Sequence, residues 1–129
     1  MKCWGSNYAG QVGDGTTTDR HTPVDVTGLT SGVTAIAAGG GAHTCAIIAG
    51  GSAKCWGNNG SGQVGDGTVS TAYNKLTPVN VSGLTSGVTA ITTGGAHTCA
   101  LTANGRAKCW GGNGYGRLDL LLQPFFEAD

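Results

Sequence analysis

Residues 94–111 read GGAHTCALTANGRAKCWG, and this stretch decides the fold because it has the pattern of a β-hairpin. The arms are HTCALT and RAKCW, and the turn is Ala-Asn-Gly at 103–105, where Asn-Gly between short apolar runs is a strong hairpin signal. A type I turn closed by Gly105 in the left-handed region places Thr102 opposite Arg106. Counting outward, the predicted register sets Cys99 opposite Cys109.

Strand alternation assigns the side chains of this hairpin to two faces. One face carries the two cysteines and their neighbours, His97, Cys99, Leu101, Ala107 and Cys109. The opposite face carries the tryptophan and its neighbours, Thr98, Ala100, Thr102, Lys108 and Trp110. Neither face is clearly polar, so we expect both to be covered by other parts of the protein.

The hairpin belongs to an internal repeat. A second copy at 41–57 reads GAHTCAIIAGGSAKCWG, and the last arm of a third copy, KCWG, lies at 2–5. GQVGDGT begins at Gly10 and again at Gly62, and TPVDVTGLTSGVTAI at 22–36 matches TPVNVSGLTSGVTAI at 77–91. The 129 residues therefore hold about two and a half units of an array.

Each unit of about 50 residues contains a proline-led strand, a short inner strand and the hairpin, with no helical periodicity. Four short strands per unit predict an all-β fold built of β-propeller blades, each a four-stranded antiparallel sheet. We divide the chain into a partial blade of outer strands at 1–32, a complete blade at 33–83, a partial blade at 84–118 and a non-repeat tail at 119–129. That tail has no counterpart in either copy, and a genuine C-terminus, a frameshift and a fused fragment all fit it.

Bulk composition excludes several classes of function. Seven basic and seven acidic residues give a net charge of zero, and no basic stripe appears, which argues against nucleic acid as a partner. No apolar run approaches the length of a membrane span. Met1 is followed at once by the arm of a repeat, so we expect no signal peptide in this chain.

Five cysteines follow the repeat. Cys45 and Cys55 are ten residues apart, as are Cys99 and Cys109, and each pair is opposed in the predicted register, whereas Cys3 is the equivalent of the second member of each pair. This geometry suits cross-strand disulfides, which would indicate an extracellular or cell-surface location. Two alternatives stay open, namely buried free thiols and a zinc site built from His97, Cys99 and Cys109.

Other residues whose side chains could take part in catalysis or binding recur at fixed repeat positions, which favours structural roles. This group comprises His43, His97, Trp4, Trp56 and Trp110. We expect each histidine to be a neutral imidazole bonded to a backbone group, and Trp56 and Trp110 to pack between blades. No set of nucleophile, base and orienting group is apparent, so we predict no catalytic site, no metal and no cofactor.

Two short motifs have structural interpretations. Residues 60–65 fit G-x-G-x-x-G, but a second glycine loop follows instead of a helix, so a loop at the blade rim is favoured over a dinucleotide site. Asp14 and Asp66, each in G-D-G-T, are predicted to accept hydrogen bonds of the Asx-turn type rather than to bind calcium.

Together these motifs resemble the repeats of the regulator-of-chromosome-condensation family. The matching features are the inner strand into G-x-x-H-T, the apolar hairpin, C-W-G, and G-N-x-x-G-Q-x-G-D-G-T before a proline-led strand, over residues 1–118. The variant with H-T-C-A and K-C-W-G is similar to bacterial, exported members. The resemblance implies a seven-bladed propeller. One extra glycine between Ile36 and His43 departs from the family spacing and predicts a bulge.

The resemblance implies a non-enzymatic module that presents loops for protein–protein binding, here as a fragment of a longer propeller. The alternative it implies is a regulatory or inhibitor domain of an enzyme, of the nucleotide-exchange or β-lactamase-inhibitor type. The expected partner is a protein of unknown identity. Open blade ends also predict self-association, with strand 22–26 of one copy completing the last blade of another.

Overall fold

The computed structural model describes residues 1–112, which form nine β-strands and one turn of 3-10 helix, Thr71–Tyr73. The strands are β1 Lys2–Gly5, β2 Arg20–Asp25, β3 Val33–Ala38, β4 His43–Ile48, β5 Ser52–Gly57, β6 Lys75–Asn80, β7 Val88–Thr93, β8 His97–Thr102 and β9 Ala107–Gly111. The tail predicted at 119–129 and the loop leading to it from residue 113 lie outside the described residues.

The nine strands form three antiparallel sheets in chain order. The first sheet has the order β1-β2, the second β3-β4-β5-β6 and the third β7-β8-β9. The prediction of an all-β array with four-stranded blades is thereby confirmed. The second sheet is the complete blade, the first corresponds to its two outer strands and the third to its three inner strands.

The predicted hairpin register is confirmed. Cys99 lies opposite Cys109, the Thr102 amide donates to the Arg106 carbonyl at 2.9 Å, and Gly105 closes the turn at φ 84°. A positive φ is strained for residues with a Cβ, so glycine is the residue that suits this turn. The earlier hairpin has the same register, with Cys45 opposite Cys55.

The proline-led strands begin earlier than the sequence pattern indicates. Pairing of Gly5 with Arg20 and of Gly57 with Lys75 extends β2 and β6 to residues before the prolines. Both strands lie at the outer edge of their sheets, where proline is tolerated because no further strand needs its missing N–H.

The extra glycine does not produce the bulge predicted between Ile36 and His43. Pairing of β3 with β4 is regular from Ala35 to Ala38, and the added residue lengthens the connecting loop to 39–42, against 94–96 in the next unit. A turn absorbs an insertion without shifting the side chains of either strand, which explains this outcome. The register shifts lie instead at the start of each inner strand, beside Thr34 and Thr89.

Hydrophobic cores lie between successive sheets. The cysteine face of the second sheet packs on the tryptophan face of the third, in a cluster that includes Cys45, Cys55, Val88, Ile91 and Trp110. The tryptophan face of the second sheet packs on the first sheet through Ala46 and Trp56, against Val26, Leu29 and Cys3. The second sheet therefore buries one face against the sheet before it and the other against the sheet after it.

The third sheet departs from the expectation that both hairpin faces are covered. Its tryptophan face is buried, with Trp110 at 3% exposure. On its cysteine face Leu101 is 43% exposed, and the described residues contain no fourth sheet that packs there. Whether a face of the sheet is covered thus depends on the presence of a neighbouring sheet and not on the residues that the face carries.

The structure also bears on the predicted exchange of strand 22–26 between copies. In its own chain β2 is paired with β1, and Val26 is fully buried against the second sheet. Donation of this strand to another copy would first require these contacts to break. Self-association through the open sheet ends remains a prediction. Uncovered faces can form such contacts directly, whereas β2 would first have to leave its contacts within the chain.

Candidate functional site

The four paired cysteines lie where the hairpin register places them. The Cα atoms of Cys45 and Cys55 are 4.0 Å apart, those of Cys99 and Cys109 are 4.1 Å apart, and both pairs are at disulfide distance. Cys3 is a half-buried free thiol, and burial raises its pKa. Among the described residues no group of three histidine, cysteine or acidic side chains is placed to hold a metal ion.

The loops between β1 and β2 (6–19) and between β5 and β6 (58–74) are called the first and second rim loops. Trp56 and Trp110 each bond to the rim loop of the preceding repeat. The Trp56 indole N–H donates to the Gln11 carbonyl at 2.9 Å, and the Trp110 indole N–H donates to the Gln63 carbonyl at 2.8 Å. Burial of a large aromatic ring is compatible with its polar N–H only when that group has such a partner. Trp4 occupies the equivalent position on β1 but is 61% exposed.

The same two carbonyls accept a second bond from a threonine. Thr44 Oγ1 donates to the Gln11 carbonyl at 2.8 Å, and Thr98 Oγ1 donates to the Gln63 carbonyl at 2.7 Å. Sequence reasoning did not assign a role to Gln11 or Gln63. Their recurrence in GQVGDGT was a signal, but the bonds use main-chain oxygens that any residue could supply.

His43 connects two sheets from a fully buried position. Its Nε2 lies 2.9 Å from Thr98 Oγ1. Because the Thr98 proton is used on the Gln63 carbonyl, the imidazole must donate from Nε2. Burial lowers the pKa of His43, and backbone groups of Gly41 and His97 oppose this only in part, so the ring is neutral.

The sequence predicted only a backbone partner for His43. The structure adds a side-chain partner, Thr98, which is 55 residues away in the sequence. His97 occupies the same repeat position on β8 and is half-buried, with its ring against Gly94. The two histidines share a position in the repeat, but they differ in burial because only His43 lies between two described sheets.

A buried asparagine organises each rim loop. The Asn7 amide donates to the carbonyls of Thr16 and Thr18, both at 2.9 Å, while its carbonyl accepts the Val12 N–H at 2.9 Å. Asn59 repeats the pattern with Thr68 at 3.1 Å and Val64 at 3.3 Å. Both asparagines are fully buried, so each loop is folded around a satisfied polar core.

Asp14 and Asp66 make the predicted Asx-type turn bonds. Asp14 Oδ1 accepts from the Thr16 amide at 3.0 Å, and Asp66 Oδ1 accepts from the Thr68 amide at 3.1 Å. Arg20 and Lys75 pair with the second carboxylate oxygens. Burial raises the pKa of both carboxyls, but the hydrogen bonds and these cations outweigh it and lower the pKa overall.

These hydrogen-bonded loops expose three large apolar or aromatic side chains. Tyr8 is 67% exposed, Val69 61% and Tyr73 52%. Tyr8 lies on the first rim loop, whereas Val69 and Tyr73 lie on the second, in the part that is longer than its counterpart in the first loop. Residues 60–65 belong to the same loop and form turns closed by backbone bonds such as Gly65 to Gly62, as the loop interpretation requires.

A cleft of about 410 Å³ lies beside the first rim loop, between β1 and the loop preceding β4. Its walls include Trp4, Tyr8, Gln11, His43 and Thr44. Within residues 1–112 no helix is long and apolar enough to cross a membrane.

Comparison with known proteins identifies the repeat. Residues 3–47 and 51–101 match the family described as the regulator of chromosome condensation (RCC1) repeat. A second description of the same repeat matches residues 33–63 and 88–117. These ranges overlap the repeat units read from the sequence.

Relatives of the chain are much longer than it is. The human probable E3 ubiquitin-protein ligase HERC6 is 34% identical over 123 residues, which are 94% of this chain and 12% of that protein. Human WBSCR16 superposes with a TM-score of 0.72 at 25% identity, over 94% of this chain and 31% of that one. Yeast RCC1 (Prp20), solved bound to Kap60, superposes with a TM-score of 0.71 at 22% identity, over 87% of this chain and 28% of that one.

The matched repeats cover most of the chain, and the sheets that they form superpose on RCC1 propellers. The chain therefore belongs to the regulator of chromosome condensation (RCC1) repeat family.

Proposed function

We propose that this chain is a non-enzymatic part of a longer propeller and presents its rim loops to a protein partner. The observation that carries the proposal is the exposure of Tyr8, Val69 and Tyr73 on loops that are folded around hydrogen bonds of buried asparagines. Aromatic side chains are over-represented among the residues that dominate binding energy at protein interfaces. A loop whose fold is held by internal hydrogen bonds loses less conformational entropy on binding than a loop without them.

The repeat relation places these side chains on one edge of the array. Tyr8 and the segment 69–73 lie on loops that follow equivalent strands, β1 and β5, and precede equivalent strands, β2 and β6. Equivalent loops of stacked blades emerge on the same side, where a partner could contact two at once. Yeast RCC1 (Prp20), a structural neighbour of this chain, was solved bound to another protein, Kap60.

Site-specific photocrosslinking tests this function. A benzophenone amino acid replaces Tyr8 or Tyr73, and in a control protein it replaces Asn104, which is exposed in the turn between β8 and β9. In the native host we expect the same protein adduct from the Tyr8 and Tyr73 positions and none from the Asn104 position. Equal adducts from all three positions, or none from either loop, would contradict the proposal.

The second candidate is a regulatory domain of an enzyme whose catalytic part lies elsewhere. The match to a small fraction of a probable E3 ubiquitin-protein ligase favours this possibility. In that case the adduct from the rim-loop positions would form within the same polypeptide as the catalytic domain. Mass spectrometry of the crosslinked peptides separates the two candidates.

The paired cysteines support an oxidising compartment, which we propose to be extracellular or at the cell surface. Two cross-strand pairs at disulfide distance are typical of proteins that fold outside the reducing cytosol. Fractionation of the host with an antibody to this chain tests the location. Recovery from the cytosol with all thiols free would contradict it.

A further inference from the structure

Two Asn-x-Ser tripeptides occur within the described part of the chain, Asn59-Gly60-Ser61 and Asn80-Val81-Ser82. This pattern is the acceptor sequence, or sequon, for N-linked glycans, provided that the middle residue is not proline. A glycan is bulky and hydrated, so a folded protein can carry it only on a surface asparagine. The two asparagines differ in this respect.

Asn59 is fully buried, and its side chain holds the second rim loop together. Its Nδ2 donates to the Thr68 carbonyl at 3.1 Å and to Thr68 Oγ1 at 2.7 Å. Its Oδ1 accepts the Val64 N–H at 3.3 Å. A sugar on this nitrogen would break the bonds around which the loop is folded, so the folded chain excludes a glycan at Asn59.

Asn80 is the last residue of β6, the outermost strand of the complete sheet, and it is exposed. Its Oδ1 accepts from Lys54 Nζ at 2.7 Å, whereas its Nδ2 donates to no atom of the described residues. Ser82, which completes the sequon, is exposed as well. Both ends of this sequon therefore lie at the surface.

The exposure of Asn80 belongs to a sheet that has a neighbour on either side. Asn80 lies opposite Lys54 on the tryptophan face, and that face packs on the first sheet, whose β1 and β2 are the equivalents of β5 and β6. The outer strands of both sheets are thus present at this interface. Asn80 stays accessible although the neighbouring sheet is in place.

The middle residue of the sequon dates the modification. Val81 is 1% exposed, and its N–H donates to the Ala53 carbonyl at 3.1 Å. A transferase has to take the whole tripeptide into its own site, which the folded sheet prevents. Transfer to Asn80 therefore precedes folding, and the finished sheet then has room for the sugar.

We propose that Asn80 carries an N-linked glycan, which the chain receives as it enters an oxidising compartment. The Asn80 Nδ2 attacks the anomeric carbon of an oligosaccharide held on a polyprenyl diphosphate, the donor that the transferase of that compartment uses. A C–N bond forms, the C–O bond to the diphosphate breaks, and its electron pair leaves with the diphosphate. The nitrogen loses one proton to a base of the transferase.

The first repeat shows what the position does without a glycan. Asp25 takes the place of Asn80, and Lys2 Nζ donates to its Oδ1 at 2.8 Å, as Lys54 does to Asn80. Glycosylation leaves the Oδ1 atom of Asn80 in place, so the bond from Lys54 survives the modification. The fold thus tolerates the glycan without losing a contact of this side chain.

A glycan at Asn80 would protect an open edge of the sheet. Among the described strands β6 pairs only with β5, so its other edge presents free main-chain groups, through which sheets associate. Asn80 lies at the end of β6 opposite to the second rim loop, which leads into Lys75. The sugar therefore shields this edge and leaves Tyr73 open to a partner.

Secretion of the 129-residue chain from cultured eukaryotic cells, behind a cleavable signal sequence, tests the proposal. We expect peptide-N-glycosidase to lower the mass of the secreted protein by one glycan. Digestion in heavy-oxygen water converts a glycosylated asparagine to a labelled aspartate, which peptide mass spectrometry locates. The label should appear at Asn80 and be absent from Asn59.

Matched variants separate the two sequons. Ser82→Ala should abolish the modification, whereas Ser61→Ala, the same change in the buried sequon, should leave it unchanged. Both serines are exposed, so neither change should prevent folding. Asp25→Asn completes a sequon with Thr27 at the equivalent position of the first repeat, and it should add a second glycan.

Secreted, disulfide-bonded protein with an unmodified Asn80, or with its glycan on Asn59, would overturn the proposal. A glycan that survives Ser82→Ala would overturn it as well. The proposal rests on the extracellular location proposed above, but the cells in this experiment provide the compartment. A failure of the glycan site is therefore distinguishable from a failure of the location, which fractionation of the native host tests by itself.

Discussion

Trp4 and Trp56 occupy the same position of the same tetrapeptide, KCWG, yet the first is 61% exposed and the second is fully buried. Both lie on strands of similar conformation, β1 and β5. The difference arises from their neighbours, because Trp56 packs against Val26 and donates to the Gln11 carbonyl of the preceding rim loop. Identical local sequence therefore sets the strand, and the adjacent repeat decides how much that strand contributes to stability.

The largest expected difference in stability is between the variants Trp56→Ala and Trp4→Ala. Removing Trp56 empties the core between the first two sheets and should cost about 3–5 kcal/mol of unfolding free energy. Removing Trp4, a mostly exposed side chain, should change it by less than about 0.5 kcal/mol. Denaturant unfolding of both variants measures the difference, and equal midpoints would contradict the assigned sheet boundaries.

The cysteines give the next comparison, between a paired and an unpaired position. Each pair closes a loop of ten residues, and loss of such a crosslink should cost about 2–3 kcal/mol. We therefore expect Cys45→Ala with Cys55→Ala to lower stability by that amount, and Cys3→Ala to have little effect. Alkylation of the native, unreduced protein should modify Cys3 alone, whereas four or five modified thiols would rule out the crosslinks.

Threonines at equivalent positions make a finer comparison. Thr98 accepts from His43 and donates to Gln63, so Thr98→Val leaves a buried imidazole donor without its acceptor. That change should cost about 1–3 kcal/mol, against about 0.5–1.5 kcal/mol for Thr44→Val, which removes one hydrogen bond. Equal costs would show that the histidine contact adds nothing to the interface.

The smallest expected effect is a pH dependence carried by His43. Because burial lowers its pKa in the folded state, the unfolded chain binds more protons at mildly acidic pH. Stability should be complete above about pH 6.5 and fall as the pH decreases below the unfolded pKa of histidine. The hydrogen-bonded carboxyls of Asp14 and Asp66 also have lowered pKa values, and the stability that they contribute is lost in a more acidic range.

Replacement of His43 by Gln separates these two ranges. The variant should be less stable at neutral pH. Its stability should also no longer fall between about pH 6.5 and the more acidic range in which the carboxyls become protonated. Thermal unfolding across that interval, with His97→Gln as the matched change at the same repeat position, measures the slope. An unchanged slope in His43→Gln would assign the pH dependence to another group.

Much of the architecture could be predicted from the sequence because its determinants are local. Asn104-Gly105 fixes a turn, the turn fixes the register, and the register places Cys99 opposite Cys109. Alternation with a period of two then assigns each side chain to a face. The insertion before His43 lengthens a loop instead of forming the predicted bulge, because spacing alone does not distinguish the two.

The sequence by itself thus determined the strands, the cysteine pairing geometry and the Asx turns, each of which depends on residues close in the chain or fixed by one hairpin. Only the tertiary structure decided that Thr98 joins His43 to Gln63, across separations of 55 and 35 residues. It also set how exposed Trp4 is, whereas the repeat already predicted that Trp56 packs between blades. The physical reason is that turns and alternation act within one sheet, whereas burial and these hydrogen bonds depend on the distance and orientation between two sheets.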